Sequence, residues 1–250
     1  MNHPLFLLLL IAALFAQASS GLAAEVRVAV ASNFLAPLRQ LADIYEQQSG
    51  DRLIISAGST GKLYAQIVNG APFEVFLAAN EREPRRLDEE GKVVAGSRFT
   101  YSEGRLALLG RQREPALNAL SGLCDRDISR ISLANPKTAP YGAAAMEVLS
   151  SLDCGKALRT RLVRGENVAQ AYQFVATGNT QFGFVAVSQL ISRPESDYLL
   201  VDARSHQPIR QQAVLLLRGD KNPAAHEFIA FLRGESARET IRSFGYGLGD

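Results

Sequence analysis

Metal-binding and nucleophilic side chains are scarce in this sequence. Its 250 residues include two cysteines, three histidines and no tryptophan. The cysteines, Cys124 and Cys154, have no cluster of histidine or further cysteine near them, whereas zinc centres are built from such clusters. Beyond the first 24 residues only His206 and His226 are left to act as a base. The composition therefore argues against a zinc site and against hydrolysis by a serine–histidine pair.

The motifs of several enzyme classes are also missing. There is no Gly-x-Ser-x-Gly sequence, which marks the nucleophile of many serine hydrolases. The run Gly58–Lys62 suggests a nucleotide-binding P-loop, but that motif requires glycine where Ser56 stands and serine or threonine where Leu63 stands. Acidic residues lie mostly on charged helical faces such as Asp88–Glu90. We therefore expect no enzymatic activity.

Charge of one sign does not dominate the sequence. Lys and Arg total 27 and Asp and Glu total 25, which gives a formal net charge of +2. No stripe of basic residues is interleaved with aromatic residues, so nucleic-acid binding is not expected. Low-complexity linkers and internal repeats are absent as well. The 47% of apolar residues is an ordinary globular composition, with enough chain for one large domain or two modest ones.

The N-terminal segment has the pattern of a secretory signal. A short uncharged apolar run, Leu5–Ala16, is followed by mostly small residues up to Ala24. We expect residues 1–24 to be removed on export; the alternative is an N-terminal membrane anchor, for which the run is short. In an oxidising compartment the even cysteine count is compatible with a disulfide between Cys124 and Cys154, the alternative being two buried free thiols.

Strand and helix patterns alternate along the rest of the chain. Short strands rich in Val, Ile and Leu are followed by amphipathic helices in both halves, which predicts an α/β fold with parallel strands. The last strand and the last two helices have no partners in the second half. We therefore expect two α/β lobes joined by two strand-like crossover segments. Residues 25–103 and 203–250 would form lobe I, and residues 104–202 would form lobe II.

Hydroxyl and amide side chains are concentrated where predicted strands lead into helices. This arrangement is clearest at Ser59 and Thr60, and it recurs at Ser32–Asn33, Tyr141–Gly142 and Asn167–Val168. Ligands of open α/β sheets bind beyond the carboxyl ends of strands, where helix starts present free N–H groups and favour negative charge. Four such junctions around one cleft predict a site for a small oxyanion. The alternative is that these residues are ordinary helix caps.

Five segments resemble, in order along the chain, the periplasmic molybdate-binding protein family. They are Ala29–Phe34, Gly58–Ile67, Asn69–Phe76, Asn135–Gly142 and Gly165–Val168. The resemblance implies a type II periplasmic binding protein fold, in which the ligand lies in a cleft between two lobes. It also implies a monomer without a cofactor that captures molybdate or tungstate in the periplasm and delivers it to the permease of an ABC transporter. Molybdenum would be held only as the oxyanion.

The resemblance also assigns binding residues. The expected molybdate contacts are Ser32, Asn33, Thr60, Tyr141 and Val168, with Ser59 as an alternative to Thr60. Many members of the family have a tyrosine in the late strand, at the position of Ala186 in this sequence. We expect Asn33, with Ser188 as a second candidate, to supply the missing bond; otherwise the site is weaker. Lys62 is interpreted as a solvated surface lysine.

Other anions are alternative ligands for this site. Sulfate differs from molybdate mainly in size, which the sequence does not give. Phosphate carries a proton near neutral pH and needs an acceptor such as aspartate, and organic anions such as dicarboxylates are usually bound by arginine. Neither residue type occurs at the four junctions.

Overall fold

The computed structural model of the protein describes residues 23–111 and 117–248. The predicted secretory signal lies outside the described residues except for its last two positions. Within these ranges, no helix is both long and apolar enough to cross a membrane. The strands form two sheets of five strands each, connected largely through helices. This is the α/β organisation that the alternation of strand and helix patterns predicts.

The strands of the described ranges are numbered in chain order. They are β1 (Glu25–Ala31), β2 (Arg52–Gly58), β3 (Val75–Leu77), β4 (Phe99–Gly104), β5 (Leu106–Gly110), β6 (Ile131–Ala134), β7 (Leu162–Gly165), β8 (Phe182–Ala186), β9 (Tyr198–Leu200) and β10 (Ile209–Leu215). The α-helices are α1 (Leu35–Ser49), α2 (Thr60–Val68), α3 (Arg82–Glu89), α4 (Pro140–Ser151), α5 (Gly155–Leu158), α6 (Val168–Ala176), α7 (Pro223–Arg233) and α8 (Glu235–Ser243). A short 3₁₀ helix, Ser32–Phe34, leads from β1 into α1.

The two sheets have the same layout. The first has the order β2-β1-β3-β10-β4 and the second the order β7-β6-β8-β5-β9. In each sheet three strands pair in parallel and the other two add in antiparallel orientation. We call the first sheet with α1–α3, α7 and α8 lobe I, and the second sheet with α4–α6 lobe II. The parallel strands of each lobe place their carboxyl ends at one edge, where the predicted junctions lie.

The chain crosses between the lobes twice. It leaves lobe I at the end of β4 (Gly104) and, after the single residue Arg105, enters lobe II at the start of β5 (Leu106). It returns between the end of β9 (Leu200) and the start of β10 (Ile209). The late strand and the two last helices therefore complete lobe I, as their lack of partners in the second half predicts. The first crossover segment consists of two strands, β4 and β5, one in each lobe.

The two lobes have separate apolar cores that meet at the cleft. In lobe I, α1 packs against α7 through Tyr45 and Phe228, whose rings lie 5.2 Å apart, and the Tyr45 hydroxyl donates to the carbonyl of Ala224 at 2.8 Å. The core of lobe II contains the apolar side chains of β5, β6, β8 and α4. Ala31 and Ala79 of lobe I pack into this second core, so the lobes are in direct contact in this structure.

The two cysteines are joined. A disulfide connects Cys124 to Cys154 across 30 residues of lobe II, with a Cα–Cα distance of 5.4 Å. It links the segment before β6 to the start of α5, both of which are short and irregular. The disulfide that the even cysteine count suggested is therefore present in the structure. Cross-linking a loop of this length reduces the conformational entropy of the unfolded chain and so stabilises lobe II.

Candidate functional site

A small cavity lies between the lobes, where the strand-to-helix junctions meet. All of the predicted contact residues except the second candidate at position 188 line it: Ser32, Asn33, Ser59, Thr60, Tyr141 and Val168. None of the described residues that line the cavity is charged. The four junctions that the sequence places at separate points of the chain therefore form a single neutral site.

The first junction lies at the end of β1. Ser32 and Asn33 begin the 3₁₀ helix, so their main-chain N–H groups have no partner within that helix. The side-chain amide of Asn33 is bound to other residues of the protein. Its nitrogen donates to the side-chain oxygen of Gln211 at 2.7 Å and to the hydroxyl of Tyr246 at 3.0 Å. Because both amide hydrogens are used, Asn33 offers the cavity its main-chain N–H rather than its side-chain N–H.

This finding corrects the expectation for the missing tyrosine. The Asn33 amide is engaged behind the cavity and cannot also replace a tyrosine hydroxyl. Ser188, the second candidate, does not line the cavity; its hydroxyl donates to the carbonyl of Asn33 at 2.9 Å and lies 2.9 Å from the Tyr246 hydroxyl. Ala186 is fully buried at the end of β8 and does not line the cavity either. Both Ser188 and Tyr246 therefore support the first junction.

The second junction contributes two buried hydroxyl groups. Thr60 is 1% exposed, and its hydroxyl oxygen accepts the main-chain N–H of Ala79 at 3.0 Å. That bond fixes the oxygen and leaves the hydroxyl proton free to be donated to a ligand. Ser59 precedes α2, and its buried hydroxyl has no hydrogen-bond partner among the described residues. An unpartnered buried hydroxyl is costly, so the structure makes Ser59 a contact candidate alongside Thr60 rather than a mere alternative.

Lobe II contributes main-chain groups. Tyr141 is the second residue of α4, after Pro140, and Ala139 provides no side-chain cap for this helix. Val168 is the first residue of α6; the side chain of Asn167 caps this helix by accepting the N–H of Gln170 at 3.1 Å. The N–H groups of Tyr141 and Val168 thus have no intrahelical partner and lie at the positive ends of two helices.

A cluster of buried tyrosines lies behind the cavity. Tyr101 donates to the Gln211 side-chain oxygen at 3.1 Å, and the Tyr246 hydroxyl donates to the carbonyl of Asn33 at 2.8 Å. Burial raises the pKa of Tyr246 to about 12 and holds those of Tyr101 and Tyr141 well above their ordinary value. All three side chains are therefore neutral at physiological pH, which avoids a negative charge beside an anion site.

This cluster was not predicted from the sequence. A pair of glutamines, Gln211 and Gln212, directly precedes the apolar residues Ala213–Leu215 of β10, and both are buried. Buried amides need hydrogen-bond partners, so this pair was the available signal for a polar network inside lobe I. The partners themselves are distant in sequence: Asn33 is 178 residues from Gln211 and 213 residues from Tyr246.

Lys62 has a different environment from the one expected. Its ammonium group forms an ion pair with the carboxylate of Glu166, which belongs to lobe II and precedes Val168 by two residues. The interpretation of Lys62 as a solvated surface lysine is therefore wrong in one respect, because the side chain, although half exposed, spans the cleft. It does not line the cavity.

Three comparisons relate this chain to known proteins. A family model described as bacterial extracellular solute-binding protein matches residues 26–247. The molybdate-binding protein ModA of Azotobacter vinelandii is 47% identical over 229 residues, covering 90% of this chain and 91% of the relative. ModA of Rhodobacter capsulatus is 40% identical over 225 residues, with coverage of 90% and 88%. The solved structure of the A. vinelandii periplasmic molybdate-binding protein matches with a TM-score of 0.85 at 36% identity, covering 90% of this chain and 100% of that one.

Proposed function

Since the chain belongs to the bacterial extracellular solute-binding protein family, we propose that it captures molybdate in the cavity between its lobes. Membership of this family makes it a binding protein rather than an enzyme, and its bound molecule a ligand rather than a cofactor. The observation that carries the proposal is the uncharged lining of the cavity, rich in hydroxyl and N–H donors, at the junctions that resemble molybdate-binding proteins.

The chemistry of the lining favours a fully ionised oxyanion. Molybdate at neutral pH carries two negative charges and only hydrogen-bond acceptors, so every hydroxyl and N–H group around it can donate. Each charge-assisted bond contributes about 1.5–3 kcal/mol. Six or seven such bonds, less the costs of ordering and desolvation, are consistent with about −11 to −12 kcal/mol, which corresponds to roughly nanomolar affinity.

The same lining disfavours other ligands. A protonated phosphate needs a carboxylate acceptor, and the described lining has none. Amino acids and dicarboxylates are usually bound by arginine, which is also absent from the described lining. Sulfate has the same charge and the same acceptors as molybdate and is the second candidate. Tungstate matches molybdate in charge and size, and we expect it to bind with similar affinity.

Calorimetric titration of the purified chain tests this proposal. We expect tight binding of molybdate and tungstate, sulfate binding at least about tenfold more weakly because it is smaller, and no measurable phosphate binding. Bound molybdate should also raise the melting temperature, since a ligand of the native state adds RT ln(1 + [L]/Kd) to its stability. Binding of sulfate or phosphate without binding of molybdate or tungstate would refute the assignment.

We further infer that the chain acts after export, as a monomer in the periplasm, and delivers its ligand to the permease of an ABC transporter. The N-terminal signal pattern, the disulfide and the family support this inference. Expression of the full chain in a bacterium that lacks its own molybdate-binding protein tests it. We expect molybdate uptake at low external concentration to be restored, whereas a chain without residues 1–24 should not restore it.

A further inference from the structure

Several contacts join the lobes around the cavity, including the bond from Ser188 to the Asn33 carbonyl behind the first junction. Two others lie beside the second junction and do not line the cavity. The main-chain N–H of Gly61 in α2 donates to the carbonyl of Thr138, in the loop before α4, at 2.8 Å. The next residue, Lys62, pairs with Glu166 ahead of α6. In both cases a residue of lobe I meets a residue of lobe II. We call these four residues, Gly61, Lys62, Thr138 and Glu166, the cross-lobe contact.

Gly61 fits this contact because it has no side chain. A Cβ atom at position 61 would lie 3.1 Å from the Cα of Thr138 and 3.2 Å from its carbonyl oxygen. Both neighbours are backbone atoms, so the Thr138 loop of the opposite lobe would have to shift by a few tenths of an ångström to admit a Cβ atom. Its backbone conformation is not one that requires glycine, and glycine is unfavourable inside a helix. The close approach of the opposite lobe is therefore the feature that accounts for a glycine here.

The ion pair is placed beside the ligand contacts of both lobes. Lys62 follows Thr60 by two residues, and Glu166 precedes Val168 by two residues. When the pair forms, it brings the second junction of lobe I toward the start of α6. Both side chains are about half exposed, at 51% and 57%, so the pair is accessible to solvent and screened by salt.

We propose that the cross-lobe contact controls how long the ligand stays bound. This inference rests on the proposed function. A ligand enclosed between the lobes can leave only when they separate, and separation breaks both the Gly61–Thr138 bond and the Lys62–Glu166 pair. Interactions that exist only in the closed arrangement shift the equilibrium toward it and slow dissociation. The contact therefore acts on residence time, while the cavity lining determines which anion binds.

The test compares dissociation rates of radiolabelled molybdate in a chase with unlabelled molybdate. We expect Lys62→Ala and Glu166→Ala each to speed dissociation about two- to fivefold, the range for a partly exposed pair. The exchanged pair Lys62→Glu/Glu166→Lys should recover most of the loss seen in either single charge reversal. Raising the salt concentration should speed release from the unaltered protein more than from Lys62→Ala.

Substitutions of Gly61 test the backbone contact. We expect Gly61→Val to speed release at least about tenfold, because its Cβ and methyl groups meet the Thr138 backbone. The release rate of Gly61→Ala should lie between those of Gly61→Val and the unaltered protein. Arg242→Ala is the matched control. It breaks a pair with Glu235 of similar exposure, 48% and 63%, that lies wholly within α8 of lobe I. Its release rate should equal that of the unaltered protein.

The outcomes separate the two proposals. If the unaltered protein binds neither molybdate nor tungstate, the proposed function fails. If it binds but Lys62→Ala, Glu166→Ala and Gly61→Ala all release ligand at the unaltered rate, the cross-lobe contact has no role in retention. Equal acceleration by Arg242→Ala would also overturn the inference, because a general loss of stability would then explain it. If Gly61→Val fails to fold, Gly61→Ala and the two ion-pair variants still show whether the cross-lobe contact slows ligand release.

Discussion

Lobe I presents hydroxyl side chains to the cavity together with the main-chain N–H of Asn33, whereas the donors of lobe II are main-chain N–H groups. Ser32, Ser59 and Thr60 line the site from one side, and Tyr141 and Val168 line it from the other. The sheets behind them have the same strand layout, so the contrast does not come from the architecture. It comes from which residues occupy the first turns of the helices. A common framework can therefore supply donors of two kinds to one ligand.

The difference decides which mutations can reveal each half of the site. A side-chain donor is removed by alanine, but a main-chain donor is removed only by proline, which lacks the N–H group. We therefore expect lobe I to be sensitive to loss of hydroxyl groups and lobe II to tolerate most changes of side chain.

Val168→Pro should weaken molybdate binding most. It removes a helix-start N–H from the ligand, for an expected loss of about 3 kcal/mol or more, over a hundredfold in Kd. Proline is well tolerated at the first position of a helix, and Asn167 already has the extended conformation that a following proline requires (φ −150°, ψ 177°). The fold should therefore persist. Val168→Ala, which keeps the N–H group, should bind within a few fold of the unaltered protein by calorimetry.

Thr60→Ala should weaken binding by about 1.5–3 kcal/mol, roughly ten- to a hundredfold in Kd. The apo protein should also melt at a lower temperature, because the Ala79 N–H loses its acceptor. Thr60→Ser keeps the hydroxyl and should retain most of the affinity. Ser59→Ala offers a comparison: its hydroxyl has no partner in the described residues, so its removal should cost affinity without lowering apo stability. An unchanged Kd in both alanine variants would place the ligand elsewhere.

Asn33→Ala should act on stability more than on affinity. The amide bonds to Gln211 and Tyr246 are lost, which should lower the free energy of unfolding by about 1–3 kcal/mol, while the main-chain N–H remains. We expect the Kd for molybdate to change less than about threefold. Ser188→Ala removes the neighbouring bond to the Asn33 carbonyl and serves as a milder comparison. A loss of affinity without a loss of stability would show that the Asn33 amide contacts the ligand after all.

The smallest expected effect is that of pH. Burial raises the pKa of Tyr246 to about 12, above its ordinary value of 10.0, so the native state retains a proton that the unfolded state loses between these values. Stability is therefore unaffected below pH 10 and falls as the pH rises from about 10 to 12. Affinity should be flat between about pH 7 and 9, where the tyrosines are neutral. In denaturant titrations, Tyr246→Phe should reduce the decrease in the free energy of unfolding between about pH 10 and 12. An unchanged decrease would show that Tyr246 is not the group responsible.

Much of this molecule could be predicted from local sequence pattern. The helix α1, the parallel strands and the four junctions follow from hydrophobic periodicity and from polar residues at helix starts, which act over a few neighbours. The strand β4 is expected from the sequence only as part of a strand-like crossover segment, because its residues, Phe99–Gly104, are largely polar and lie at the sheet edge. Its pairing depends on β10, which is more than a hundred residues away.

The functions of individual side chains were harder to predict, because they depend on distant partners. The sequence places Asn33 and Lys62 next to the binding hydroxyls but does not show that Gln211 or Glu166 lies within reach. Local sequence therefore predicts the junctions, which do line one cavity, but not the contacts of Asn33 and Lys62. The Gly61–Thr138 bond is of the same kind, since it exists only when the lobes meet.

The position of β10 between β3 and β4 has a consequence for how the molecule is assembled. Lobe II is built from one continuous stretch, so it can fold as soon as that stretch is available, while the sheet of lobe I lacks its connecting strand until the last part of the chain arrives. During synthesis and export the C-terminal segment comes last, and β4 has no other neighbour in its sheet. A chain shortened before Ile209 would therefore contain a finished lobe II beside an open, aggregation-prone half-sheet.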